Sequence, residues 1–122
     1  MTNEAGPFLD ASHVADLIEL DKGKGALFAR FVDHFVTRAP AKVAELGSYA
    51  RSGDLANLTE SAHKLRGSAG NVGAFRLAVL LGRIEAAGKT GDASAAEACL
   101  AVLDAEYEST RVALLAAAKA VR

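Results

Sequence analysis

The chain has 122 residues, enough for one domain, and an ordinary globular composition with 51% hydrophobic and 24% charged residues. Its 14 basic and 15 acidic side chains give a net charge of −1, so no basic surplus points to nucleic acid and no acidic tail is present. The N-terminus lacks a signal-peptide pattern, no apolar run is long enough to span a membrane, and the single cysteine excludes an intrachain disulfide. We therefore expect a cytoplasmic protein that does not bind membranes.

The N-terminal part of the chain is predicted to be a tail over residues 1–9, followed by a single helical domain over residues 10–122. Asp10 or Ser12 can cap a short first helix. We expect this helix to lie as a lid across the end of a helical bundle. His13, at its start, is interpreted as a surface residue.

A long helical pattern begins near Lys22. Its apolar residues share one stripe: Leu27 or Phe28, Phe31, Phe35, Ala39, Val43, Leu46 and Ala50. Pro40 interrupts the stripe, and proline lacks a backbone donor and clashes with the preceding helical turn. The pattern therefore predicts either a kinked helix or two abutting helices near this residue. His34 lies off the centre of the stripe and is interpreted as partly exposed.

The next helix follows a break at Gly53, with Asp54 as its predicted cap. Its apolar residues are spaced by three and four and form one buried seam: Leu55, Leu58, Ala62, Leu65, Ala69 and Val72. His63 is adjacent to the seam, so its ring is expected at the border with solvent. Gly67 and Gly70 each weaken a helix by about 1 kcal/mol relative to alanine. Either a neighbouring helix needs that space, or something outside the domain must reach His63.

Two further helices complete the pattern. One runs from Ala74 to about Ala87, and the segment from Ser94 to Glu97 has the form of a capping box at the start of the last. Short loops between successive amphipathic helices favour antiparallel neighbours. We therefore predict an all-α fold, an antiparallel up-down four-helix bundle.

The segment His63–Ala69, followed by Asn71–Ala74, resembles the phosphorylation-site motif of histidine-containing phosphotransfer (HPt) domains. Similarity to that family extends from about Leu20 to Leu115 and includes three further stretches: Phe35–Pro40, Gly53–Leu55 and Leu77–Ala87. The resemblance implies that His63 is a phosphoacceptor. It also implies that the protein relays a phosphoryl group between receiver-domain aspartates in a bacterial-type multistep phosphorelay.

The resemblance also suggests residues that act on His63. If the turn centres near Val72, His63 faces residues 81–85, in which Glu85 is the only acidic residue. Relatives of the chemotaxis-kinase kind have a carboxylate or amide there, so Glu85 is a candidate to orient the imidazole; a solvated surface carboxylate is the alternative. Arg66, one turn from His63, stands where the family usually has lysine and could offset phosphoryl charge; a solvated arginine is the alternative.

The remaining motif residues are predicted to contact a partner: Lys64, Gly67, Ser68 and Gly70. The expected partners are response-regulator receiver domains and a hybrid histidine kinase. Mg²⁺ is expected on the receiver domain, and we expect no intrinsic cofactor, no metal site and no nucleic-acid partner for this chain.

The sequence has neither a GxxxxGK[ST] phosphate-binding loop nor kinase nucleotide motifs. It is therefore predicted to be a phosphoryl carrier rather than an autonomous kinase. The main alternative is a non-catalytic helical-bundle adaptor in which His63 only packs at the core boundary. A metal- or haem-binding bundle is disfavoured, because the three histidines lie on different segments with no Glu-x-x-His pair.

Overall fold

The computed structural model describes residues 7–121, and every regular element within them is an α-helix, which confirms the predicted all-α class. The five helices are α1 (Ala11–Glu19), α2 (Ala26–Ser52), α3 (Leu55–Asn71), α4 (Phe75–Thr90) and α5 (Ala93–Ala120). Across this described part of the chain, no helix is both long and apolar enough to cross a membrane.

The four longer helices enclose one hydrophobic core. α2 packs against α3 and α5, α4 packs against the same two helices, and α1 lies against α2. Each long helix contributes fully buried side chains, among them Phe28, Leu46, Leu58, Leu77, Leu81, Ile84, Leu103 and Leu114. The stripe on α2 differs from the prediction at Phe31, which is 40% exposed because Phe28, Val32 and Phe35 occupy the buried positions.

The helix ends follow local backbone chemistry. Gly53 ends α2 with a φ of 73°, and the Asp54 carboxylate accepts the N–H of Asn57 at 3.1 Å, as predicted. The capping box predicted at Ser94 is wrong. α5 begins at Ala93, two residues earlier than a cap at Ser94 would give, because the Asp92 carboxylate accepts the N–H of Ala95 at 2.9 Å and so caps the helix first.

Pro40 lies inside α2, which continues without a break from Ala26 to Ser52. The prediction of two abutting helices is therefore wrong, and a single helix is observed. Proline has no N–H to donate to the carbonyl of Val36, four residues earlier. The hydroxyl of Tyr107 on α5 donates to that carbonyl at 3.4 Å. A neighbouring helix thus replaces the donor that proline lacks.

The N-terminal segment joins the core earlier than predicted. Leu9 is buried, and the guanidinium of Arg76 lies 4.4 Å from the ring centre of Phe8, so the tail prediction is wrong for these two residues. Its first six residues lie outside the described part of the chain. α1 is fastened to the α3–α4 turn, since the N–H of Asp10 donates to the Gly73 carbonyl at 2.8 Å.

His13 is more than a surface residue. Its Nε2 lies 2.9 Å from the carbonyl oxygen of Asn71 at the end of α3. Together with the Asp10 contact, this bond places α1 over the turn between α3 and α4, the position expected of a lid.

Candidate functional site

His63 projects from α3 with one side of its ring toward the protein and the other toward solvent. Its neighbours Ala62 and Leu65 are buried and hold this part of α3 against the core. The His63 side chain is itself 62% exposed. Both recorded contacts of the ring involve Nδ1, and no hydrogen bond to Nε2 is found within residues 7–121. Within the described residues, the hydrogen-bond contacts of the ring are therefore those of Nδ1.

Glu85 on α4 holds the inner side of the ring. Its Oε2 lies 3.1 Å from His63 Nδ1, although its side chain is only 8% exposed. Two close approaches on either side of Glu85 show how α3 and α4 are paired. A Cβ built on Gly82 would meet Arg66, and a Cβ built on Gly88 would meet Thr59. Residue numbers along α3 therefore decrease as those of the facing residues along α4 increase. The two helices run antiparallel, and Glu85 faces His63. The solvated carboxylate considered for Glu85 is therefore wrong.

Arg66 lies beside both groups. Its Nε is 3.0 Å from Glu85 Oε1, and one terminal nitrogen is 3.1 Å from His63 Nδ1. The Nε contact is an ion pair without the direction of a hydrogen bond, so Oε1 is buried with no hydrogen-bond donor in the described chain. Nδ1 cannot donate to Glu85 and accept from Arg66 at once, because it carries either a proton or a lone pair. The two contacts correspond to different tautomers of the ring.

Lys89 is a fourth member of the cluster and was missed by the sequence reasoning. Its Nζ lies 3.3 Å from Glu85 Oε2. The spacing of four residues from Glu85 on one helix is the signal that could have identified it. The cluster thus contains one buried carboxylate and three nitrogen-bearing side chains.

The charge state of Glu85 follows from these neighbours. Burial acts to raise its pKa, but the hydrogen bonds from Lys89 and His63 and the charge of Arg66 outweigh burial. The pKa of Glu85 is therefore held below its ordinary value of 4.5. At neutral pH the side chain is an anion that can accept the Nδ1 proton of His63.

The surface around His63 is open where the sequence has glycine. A Cβ added to Gly67 or Gly70 would have no heavy atom of a neighbouring element within 4 Å. Close packing by another helix of the described chain therefore does not explain these residues. They leave a flat strip along α3 that an external surface can approach.

The other motif residues on α3 make local contacts. The Lys64 ammonium pairs with Glu60 at 3.1 Å, and the Ser68 hydroxyl donates to the Lys64 carbonyl at 3.3 Å. Both side chains are exposed on the same helix as His63. Their predicted contacts with a partner stay predictions.

The remaining histidines are separate from this cluster: His13 contacts the end of α3, and His34 is exposed on α2. Across residues 7–121, no group of three His, Cys, Asp or Glu side chains is arranged to hold a metal ion.

A comparison with protein families matches residues 30–113 to the Hpt domain, which is more than half of the chain. The chain belongs to the HPt domain family. The match includes His63, Arg66, Glu85 and Lys89, so the whole cluster lies inside the HPt domain.

The fold of this HPt domain is similar to that of histidine-containing phosphotransfer protein B (HptB) from Pseudomonas aeruginosa PAO1. The two structures superpose with a TM-score of 0.84 over 96% of this chain and 99% of that chain, at 24% sequence identity. No curated protein matches the sequence significantly. The structural similarity establishes the fold of this HPt domain, and the roles of its residues must be argued from its own geometry.

Proposed function

We propose that this HPt domain carries a phosphoryl group on His63 and relays it between receiver-domain aspartates in a multistep phosphorelay. The observation that supports this best is the 62% exposed side chain of His63, whose Nδ1 contacts the buried Glu85 and whose Nε2 has no hydrogen bond within residues 7–121. The proposed partners are response-regulator receiver domains and a hybrid histidine kinase, in the cytoplasm. The proposal includes an antiparallel up-down arrangement of α2–α5, with α1 as the lid.

The transfer step makes one bond and breaks one. The lone pair on His63 Nε2 attacks phosphorus of a receiver aspartyl phosphate, a P–N bond forms, and the P–O bond to the aspartate breaks. The aspartate leaves as a carboxylate, and the Nδ1 proton stays on the ring. The ring then carries positive charge, which the Glu85 carboxylate stabilises at 3.1 Å. The reverse step returns the phosphoryl group to an aspartate by the same path.

Arg66 has to move for this step. With a proton on Nδ1, two donors face each other at 3.1 Å, because the terminal nitrogen of Arg66 is also a donor. Arg66 is 43% exposed whereas Glu85 is buried, so Arg66 is the group that turns aside. On the solvent side it can pair with the phosphoryl oxygens, as a guanidinium does well.

The partner supplies what this chain lacks. Mg²⁺ is proposed to be bound by the receiver domain, together with the reacting aspartate. Phosphoryl transfer depends mainly on positioning and charge stabilisation. An accessible imidazole on a rigid helix is therefore all that this chain needs to provide for the transfer. Gly67 and Gly70 leave room for the receiver to approach, and Lys64 and Ser68 lie at the edge of the same surface.

The test uses a receiver domain loaded with radiolabelled acetyl phosphate. We expect label to pass to the wild type in an acid-labile, alkali-stable form, the chemical signature of phosphohistidine. His63→Gln should remove the label. Glu97→Gln, which replaces an exposed side chain on α5, should keep it.

The same experiment separates this function from the adaptor alternative. An adaptor whose His63 only packs would bind receivers without becoming labelled. Label that survives His63→Gln would overturn the proposed role of this residue.

A further inference from the structure

α2 carries a row of nitrogen-bearing side chains on its outer face, namely Arg30, His34, Arg38 and Lys42, called here the α2 basic row. A spacing of four residues places them along one side of the helix, and all four are exposed. From residue 26 to residue 44, Asp33 is the only acidic residue. Lys42 pairs with Glu45 at 3.4 Å, whereas no carboxylate of residues 7–121 forms an ion pair with the other three.

The α2 basic row borders an apolar groove of about 570 Å³ between α1, α2 and α3. The apolar lining comes from all three helices: Leu17, Leu20, Phe31, Phe35, Ala39, Leu65 and Val72. Leu20 and Phe31 are large hydrophobic side chains that are 64% and 40% exposed. His34, Arg38 and Lys42 line the same groove, so an apolar floor and a positive rim occur together.

The groove is next to the reactive histidine. Leu65 and Ser68 of α3 line it, and they follow His63 by only two and five residues. Five residues of α-helix span about 8 Å. A protein large enough to cover His63 therefore also reaches the rim at Arg38 and Lys42.

We infer that the α2 basic row is an electrostatic docking strip for an acidic face of the receiver domain that exchanges the phosphoryl group with His63. The inference rests on the proposed function. A receiver site that holds Mg²⁺ does so with oxygen ligands, chiefly carboxylates, so the face that approaches His63 is acidic. Complementary charges speed the encounter and fix its orientation. The apolar floor favours a protein partner over a nucleic acid, because a phosphate backbone offers no apolar side chains to fill it. Binding to lipid vesicles, measured below, distinguishes a membrane.

The decisive variant neutralises two charges of the row, Arg30→Gln with Arg38→Gln. The matched control, Arg51→Gln with Lys119→Gln, removes the same charge from exposed positions at the last turns of α2 and α5. Single-turnover transfer from a labelled receiver is measured against receiver concentration and ionic strength. We expect kcat/KM of the row variant to fall about threefold to tenfold at low salt, as for charges at an interface rim. The saturated rate should be unchanged and the salt dependence weaker, and poly-L-glutamate should inhibit the wild type and the control more than the row variant.

Three results would overturn the docking strip while leaving the proposed function in place. One is an equal kcat/KM and salt dependence for the row variant and the wild type, with label still reaching His63; this leaves the proposed function intact. Another is a fall in the saturated rate alone, which would place the row in chemistry. The third is binding to phosphatidylserine vesicles that depends on Arg30 and Arg38, which would identify a membrane as the occupant. A wild type that takes no label overturns the proposed function and the docking strip with it.

Discussion

At the scale of single residues, one buried carboxylate holds the imidazole of His63. Glu85 contacts Nδ1 of His63, and Lys89, His63 and Arg66 together hold Glu85 ionised. In the proposed transfer, Glu85 does not touch the phosphoryl group and acts as a positioning residue. Its effect should be visible in the rate of transfer more than in the stability of the fold.

Glu85→Ala should slow phosphorylation of His63 about tenfold to a hundredfold, because the ring then loses the acceptor that fixes its tautomer. Glu85→Gln should recover part of the rate, since an amide oxygen can still accept the Nδ1 proton. Single-turnover labelling measures both variants. Glu97→Ala removes an exposed carboxylate on α5 and serves as control. An unchanged rate in Glu85→Ala would mean that the ring needs no orientation.

Gly67→Gln should stop transfer while leaving the fold intact. A Cβ at this position meets no heavy atom of another element within 4 Å, and the substitution removes a glycine that costs a helix about 1 kcal/mol relative to alanine. The melting temperature should therefore stay the same or rise while labelling is lost. Ala105→Gln adds an equal side chain to the exposed face of α5 as control. Normal labelling of Gly67→Gln would show that the receiver does not approach over this strip.

At the scale of the helices, local periodicity predicted much of what is observed. The seam on α3 is buried as expected at Leu58, Ala62, Leu65 and Ala69, because the three-four spacing defines one face. The same periodicity could not decide whether the helix continues through Pro40 or breaks there. The donor that compensates for it belongs to Tyr107 on another helix, and a contact 71 residues away leaves no local signal. The start of α5 was misplaced because Asp92 and Ser94 are both good caps and only the backbone conformation decides between them.

Tyr107→Phe should lower the free energy of unfolding by about 0.5–1.5 kcal/mol, because the Val36 carbonyl loses its donor. In a Pro40→Ala background residue 40 supplies its own N–H to that carbonyl, so the cost of Tyr107→Phe should shrink. Urea unfolding of the four proteins of this double-mutant cycle gives the coupling. The same cost in both backgrounds would mean that the hydroxyl does not compensate for proline.

At the scale of the whole molecule, the site depends on how α3 and α4 are paired. The family motif on α3 identified His63, and the turn near Gly73 placed Glu85 opposite it. The motif could not reveal that Arg66 reaches the same carboxylate, because Arg66 and Glu85 lie on different helices. The contact of Lys89 had a local signal, since Lys89 follows Glu85 by four residues on α4. Phe31 was predicted on the buried stripe of α2 but is partly exposed, for a related reason. Whether an apolar residue is buried depends on the helix register that the other helices select.

The cluster should make the stability of the whole domain depend on pH. The pKa of Glu85 is lower in the folded state than its ordinary value of 4.5, so the folded state favours the ionised form. The resulting stabilisation is fully present above that value and is lost as pH falls through the lowered pKa. Glu85→Gln lacks it, so the stability difference between wild type and variant should narrow below pH 4.5. Urea unfolding over a pH series measures this, and Ala105→Gln, which changes no charge, should keep a constant stability difference from the wild type. If the stability difference between wild type and Glu85→Gln stayed constant over this pH range, Glu85 would not be held ionised in the folded state.

Most of the His63 side chain is exposed to solvent, and the surface beside it at Gly67 and Gly70 is open. A binding pocket can select a ligand by its shape, but an exposed side chain cannot select a partner in this way. If His63 carries the phosphoryl group as proposed, discrimination among receiver domains must be encoded in side chains away from the ring. A change of partner would then require substitutions on the outer face only, and His63 and Glu85 could stay as they are.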